Sequence, residues 1–149
     1  MGWSYEQQNR LQKEIDILSQ YFPAFSYTNV GGSVCVEGWM KTNARNNYKI
    51  RVYVPNDLPY SVPEVVITYP NPVKDYLGKS LIDFGTSSVM HLLSPKDGYP
   101  KICHYRSSNW NGNITFYKVL MKVRIWLEAL DGHKNTGKTL DYYLTHQNE

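Results

Sequence analysis

The stretch Lys101-Ile102-Cys103-His104-Tyr105, followed by Trp110 and by Ile114-Thr115-Phe116-Tyr117-Lys118-Val119-Leu120, decides how this chain reads. It joins a single cysteine to the start of a helix. Thr115 is a hydroxyl N-cap. Behind it Val119, Val123, Trp126, Leu127 and Leu130 recur at helical spacing and form a broad apolar face, while Lys118, Lys122 and Arg124 lie outside it. Gly132 is the expected stop of this helix. A short final helix follows, with Leu140, Tyr143 and Leu144 as its contact face. Lys101 and Tyr105 flank Cys103 at two-residue spacing, so in an extended segment all three point to one side and His104 points away. Lys101 then either favours the Cys103 thiolate electrostatically or is a solvated lysine. His104 reads as structural or surface. Without context a cysteine is a small buried hydrophobe. That reading fits Cys35, which stands between Val34 and Val36 in an expected strand.

Upstream, Ser4-Tyr5-Glu6-Gln7 has the form of a capping box, and Leu11, Ile15 and Leu18 continue at helical spacing. The first helix is expected from about Tyr5 to Tyr21, stopped by Pro23, with Arg10, Lys13, Glu14 and Gln20 outside its apolar stripe. Ser33 to Met40 reads as a strand. Tyr48, Ile50, Val52 and Val54 alternate with Lys49, Arg51 and Tyr53 in a half-buried strand, and Val65, Ile67 and Tyr69 make another. Between these two, Pro55 to Pro63 is too rich in proline for a central strand. Pro70 to Pro100 has weak periodicity and reads as a long irregular segment, with a short strand or turn at Leu81-Ile82-Asp83-Phe84. Helix, antiparallel meander, irregular cysteine-bearing segment and two helices give an α+β class, and residues 1–149 form one expected domain.

Composition narrows the function. A net charge of +3 with no compact basic run argues against nucleic-acid binding. There is no run of 18 apolar residues to span a membrane, no secretory signal, and Glu6 breaks a myristoylation pattern, so a cytoplasmic protein is expected. Two cysteines in a reducing compartment are free thiols. No CxxC or HExxH spacing exists among the scattered histidines, so neither a metal nor another cofactor is expected. Gly31-Gly32 is a turn signal and no phosphate-binding loop is present.

The cysteine segment, Trp110 seven residues beyond it and the Ile114-Thr115 helix start resemble the heart of ubiquitin-conjugating enzymes. Leu58-Pro59-Tyr60-Ser61-Val62-Pro63 resembles that family's proline loop between two strands, and the first helix and strands fall in family order. Only the 70–90 stretch lacks a counterpart. The Cys-x-Tyr with a following Trp looks most like the bacterial conjugating-enzyme-like proteins of antiphage operons, some of which encode cGAS-like cyclic-oligonucleotide synthases.

The resemblance implies a ubiquitin-conjugating-enzyme fold and a thioester-forming transferase. Its Cys103 would accept the C-terminal carboxyl of a ubiquitin-like donor, or of a cGAS-like nucleotidyltransferase, and pass it to a lysine amine or other nucleophile. A thiolate suits both steps, because the thioester it forms stays reactive toward amines. Activation would fall to a separate enzyme, since the chain has no room for an adenylating domain. His91 matches the histidine that organises the loop before the cysteine in this family. The family's asparagine, which stabilises the oxyanion or the loop at the transition state, is replaced by Leu93, and loss of an oxyanion donor can cost about 10²–10³ in rate. Asn109, Asn111 and Asn113 are candidate replacements, alongside backbone amides and against ordinary turn formation. Asp131 and His133 fall where the family places its acidic gate for the attacking amine, and Trp110 reads as a loop anchor. Arg10 and Lys13 match the helix face that meets an activating enzyme, and Tyr60 and Asn111-Gly112-Asn113 occupy the surface that meets ligases. The alternative is a catalytically silent module of the same fold that binds a ubiquitin-like partner.

Overall fold

The computed structural model describes residues 2–144 as an α+β protein with an N-terminal helix, a six-stranded antiparallel sheet and C-terminal helices. Helix α1 spans Tyr5–Tyr21. Its capping box is complete: the Gln7 amide donates to Ser4 Oγ at 3.1 Å, and the Ser4 amide donates to Gln7 Oε1 at 3.0 Å. Gln7 Nε2 also donates to the Asn56 carbonyl at 2.8 Å, which ties the start of α1 to the proline loop.

The strands are β1 Ser26–Val30, β2 Ser33–Lys41, β3 Asn47–Tyr53, β4 Glu64–Tyr69, β5 Leu92–Lys96 and β6 Tyr99–Ile102. Their order across the sheet is β1-β2-β3-β4-β6-β5. Alternation sends Val36, Met40, Tyr48, Ile50, Val52, Val65 and Ile67 to one face, where they form the core with Val119, Val123, Trp126, Leu127 and Leu130 of helix α2, Phe116–Thr136. On the opposite face Cys35, Tyr53 and Val66 make a small second cluster. Arg51 roofs it, with its guanidinium 5.7 Å from the Tyr53 ring centroid and 5.4 Å from that of Tyr99, and Glu37 accepts from its Nε at 2.6 Å. Cys35 is fully buried there, as the sequence suggests.

Two expectations need correction. The segment Pro70–Pro100 is not irregular throughout: it ends in the β5–β6 hairpin, and β6 inserts between β4 and β5, so the meander stops at β4. The turn is Asp97-Gly98, with φ of 55° and 81°, as a two-residue primed turn requires. Pro95 and Pro100 hide these strands from a pattern search. Pro95 is tolerated because β5 is an edge strand. Of the two forms expected at Leu81–Phe84, the chain takes the turn, a 3₁₀ one.

The second correction concerns Gly132. It does not end α2, which runs one further turn to Thr136 and closes on left-handed Gly137, φ 80°, whose amide donates to the His133 carbonyl at 2.8 Å. Gly132 is needed for packing instead. A Cβ there would lie 2.8 Å from Cζ of Tyr143 on helix α3, Leu140–Leu144. Among the described residues, no helix is long and apolar enough to cross a membrane.

Candidate functional site

Strand β6 buries Ile102 completely and hands the next residue, Cys103, to a cleft against α2 and α3. The Cys103 amide donates to the His91 carbonyl at 3.0 Å. The same carbonyl accepts the indole N–H of Trp126 at 3.0 Å. His91 adopts φ 50°, an uncommon conformation for a residue with a Cβ, and these two donors hold it there. Its side chain meets the last helix: Nε2 and Asp141 Oδ1 are 2.9 Å apart. With Nε2–H donating to that carboxylate, Nδ1 is the ring's lone-pair nitrogen.

Cys103 is half-buried at the junction of a small pocket of about 40 Å³ and a wider cleft of about 450 Å³. His91, His104 and Lys122 line both. Trp126 and Leu144 close the small pocket, while Leu93, Arg106, Asn109 and Asp141 border the wide one. Burial raises the Cys103 thiol above its ordinary range, and the charges of Arg106 and Lys122 pull it back. Among the described residues, no three His, Cys, Asp or Glu side chains are grouped to hold a metal ion.

His104 turns inward. Its Nε2–H donates to the Pro63 carbonyl at 2.8 Å, and among the described residues its buried Nδ1 has no partner. Burial holds the imidazole neutral down to about pH 4, against the Pro63 bond and helped by the Lys122 charge. The folded pKa is therefore below the unfolded value of about 6.5, so the unfolded chain binds the extra proton first. This contribution to stability is complete above that value and is lost as pH falls toward 4. Acidification from pH 7 to 4.5 is expected to remove about 2 kcal/mol through this residue alone. Urea titrations of wild type and His104→Gln at both pH values check it, and a stability gap between the two that does not change with pH contradicts it.

The other candidates are placed elsewhere. Lys101 does not face Cys103; its Nζ donates to Glu64 at 2.9 Å across the sheet. Asn111 and Asn113 are outside the cleft, where Asn111 Oδ1 accepts the Asn113 amide at 2.8 Å in a local turn. Asp131 accepts the Tyr48 hydroxyl at 2.7 Å. His133 Nε2 accepts the Tyr76 amide at 3.1 Å, and its Nδ1–H donates to the Lys138 carbonyl at 2.7 Å. Neither Asp131 nor His133 lines the Cys103 cavities: Asp131 meets Tyr48 of the sheet, and His133 is buried against the backbone of Tyr76 and Lys138. Arg10 is occupied internally: Nε donates to Glu14 at 2.7 Å, Nη1 to the Gly112 carbonyl at 2.6 Å and Nη2 to that of Ile114 at 3.1 Å. Lys13 is exposed on α1 and Tyr60 is exposed in the proline loop. Trp110 anchors that loop, its Nε1–H donating to the Pro59 carbonyl at 3.0 Å.

Two residues of the cleft escape the sequence reading. Lys122 stands four positions before Trp126 on α2, a spacing that puts both on one side of the helix. Asp141 has no such signal, since its role depends on where α3 packs. Comparison with family models, with curated proteins and with solved structures finds no match to this chain.

Proposed function

We propose that this chain has a ubiquitin-conjugating-enzyme fold and is a thioester-forming transferase with Cys103 as its nucleophile. The observation that carries this reading is a half-buried thiol at a cleft whose wall includes an imidazole backed by a carboxylate, His91 and Asp141. His91 Nδ1 takes the thiol proton, and the Cys103 thiolate attacks the donor's thioester carbonyl. A carbon–sulfur bond forms, the donor's own sulfur leaves and takes the proton from His91, and the donor rests on Cys103. An acceptor amine then attacks the same carbon. The nitrogen–carbon bond forms, Cys103 leaves as thiolate, and the surplus amine proton passes to His91.

The resemblance in sequence supports a ubiquitin-like protein or a cGAS-like nucleotidyltransferase as donor, a separate activating enzyme, a lysine-bearing acceptor, and a setting in bacterial antiphage defence in the cytoplasm. The chain purified from its native host without reductant is expected to carry a protein-sized adduct that thiols release, and Cys103→Ala is expected to carry none. Intact-mass measurement of both forms checks this, and the adduct's mass identifies the donor. Two features favour a silent binding module of the same fold: burial raises the thiol, and Leu93 stands where an oxyanion donor is expected. That reading prevails if both forms co-purify with the same unmodified partner and neither carries an adduct.

A further inference from the structure

The Lys122 ammonium occupies an unusual position for a lysine on an amphipathic helix. It lines both cavities beside Cys103 and is half-buried there. Its Nζ lies 4.3 Å from the centroid of the Tyr105 ring, which fixes the charge without neutralising it. Among the described residues it joins no ion pair with a carboxylate, unlike Lys49, Lys96 and Lys101 on the sheet. Among the described residues, Lys122 is the one lysine or arginine that lines the small pocket, and Arg106 borders only the wide cleft.

We infer that Lys122 is the electrostatic partner of the negative charge that develops during acyl transfer at Cys103. This rests on the transferase reading above and names the group that performs the task Leu93 cannot. When the thiolate adds to the donor carbonyl, the π pair moves onto oxygen. That oxyanion forms beside a fixed ammonium, and the pair returns to carbon as the leaving thiolate departs. A charge held in a partly desolvated pocket stabilises the oxyanion far more than a solvated lysine would. Tyr105 acts as the positioning residue, its ring keeping Nζ in place.

The test separates thiolate formation from oxyanion stabilisation. Alkylation by iodoacetamide displaces iodide and develops no oxyanion, whereas acylation by N-acetylglycine thioester of mercaptoethanesulfonate does. Both rates at Cys103 are measured across pH by intact mass and divided by the thiolate fraction, with N-acetylcysteine as the free-thiol reference. Wild type is expected to acylate faster than the reference. Lys122→Met and Lys122→Gln are expected to lose about 10²-fold in acylation, with alkylation per thiolate unchanged, and Lys122→Arg to regain most of the loss. If wild type acylates faster than the reference and the neutral variants match it, this inference falls alone. If wild type acylates no faster than the reference, the transferase reading falls with it. An acyl group found on Lys122 as a thiol-resistant amide also overturns the inference, because the residue would then be an acceptor.

Discussion

Glu14→Leu is expected to destabilise the protein by about 3–5 kcal/mol, the cost of breaking a buried charge pair from one side. Glu14 is 1% exposed, although it lies on a helix whose polar side faces solvent. Its Oε1 accepts the Phe116 amide at 2.9 Å, and its Oε2 accepts Arg10 Nε at 2.7 Å. Phe116 opens α2, so its amide is one of the helix's unpaired donors, and a carboxylate there also meets the positive end of the helix dipole. Thr115 satisfies only the Lys118 amide, at 3.2 Å. Leucine would leave the buried Phe116 amide without its acceptor and take from Arg10 its carboxylate partner, leaving the guanidinium only the Gly112 and Ile114 carbonyls. Glu14→Gln keeps an acceptor for Phe116 and should cost less. Urea denaturation of both variants checks this. A Glu14→Leu protein within about 0.5 kcal/mol of wild type would show that the contact is not a stabilising pair.

The second large effect is expected at Trp126. Truncation to alanine should cost about 3–5 kcal/mol, because the ring is 2% exposed and its removal leaves a cavity between α2 and the hairpin. Trp126→Phe is the more informative change. It keeps most of the volume and deletes the N–H that shares the His91 carbonyl with Cys103. His91 would then be held in its left-handed conformation by one donor rather than two. The expected result is a smaller loss of stability together with faster alkylation of Cys103, read by iodoacetamide labelling of the folded protein. Unchanged labelling would mean that the indole supports packing alone.

Local signals made much of this fold legible. The Ser4 and Gln7 pair and Pro23 bound α1 at the expected residues, Tyr5–Tyr21, because caps and breakers act within a few positions. Richness in Val and aromatic residues located β2, and alternation located β3 and β4, for the same reason. What stayed hidden depends on distant contacts. Gly132 reads as a helix stop until Tyr143 is packed on it, and the misplaced end carries Asp131 and His133 with it. Glu14 reads as a surface charge until the start of α2 arrives above it. At the candidate site, Cys103 and His91 stand out by their surroundings in sequence, and the structure brings them to one cleft. Lys122 and Asp141 do not stand out, since each belongs to the cleft through the packing of its helix.

The walls of that cleft also fix an order of events during synthesis. Asp141 follows Cys103 by 38 residues, and Leu144 comes later still. A ribosome therefore delivers the thiol and the β5–β6 hairpin well before the residues that orient His91 and close the small pocket. Until α3 has been made and has docked, Cys103 is an ordinary thiol on an unfinished sheet. Under the transferase proposal, this order would keep the nascent chain from loading before α3 docks.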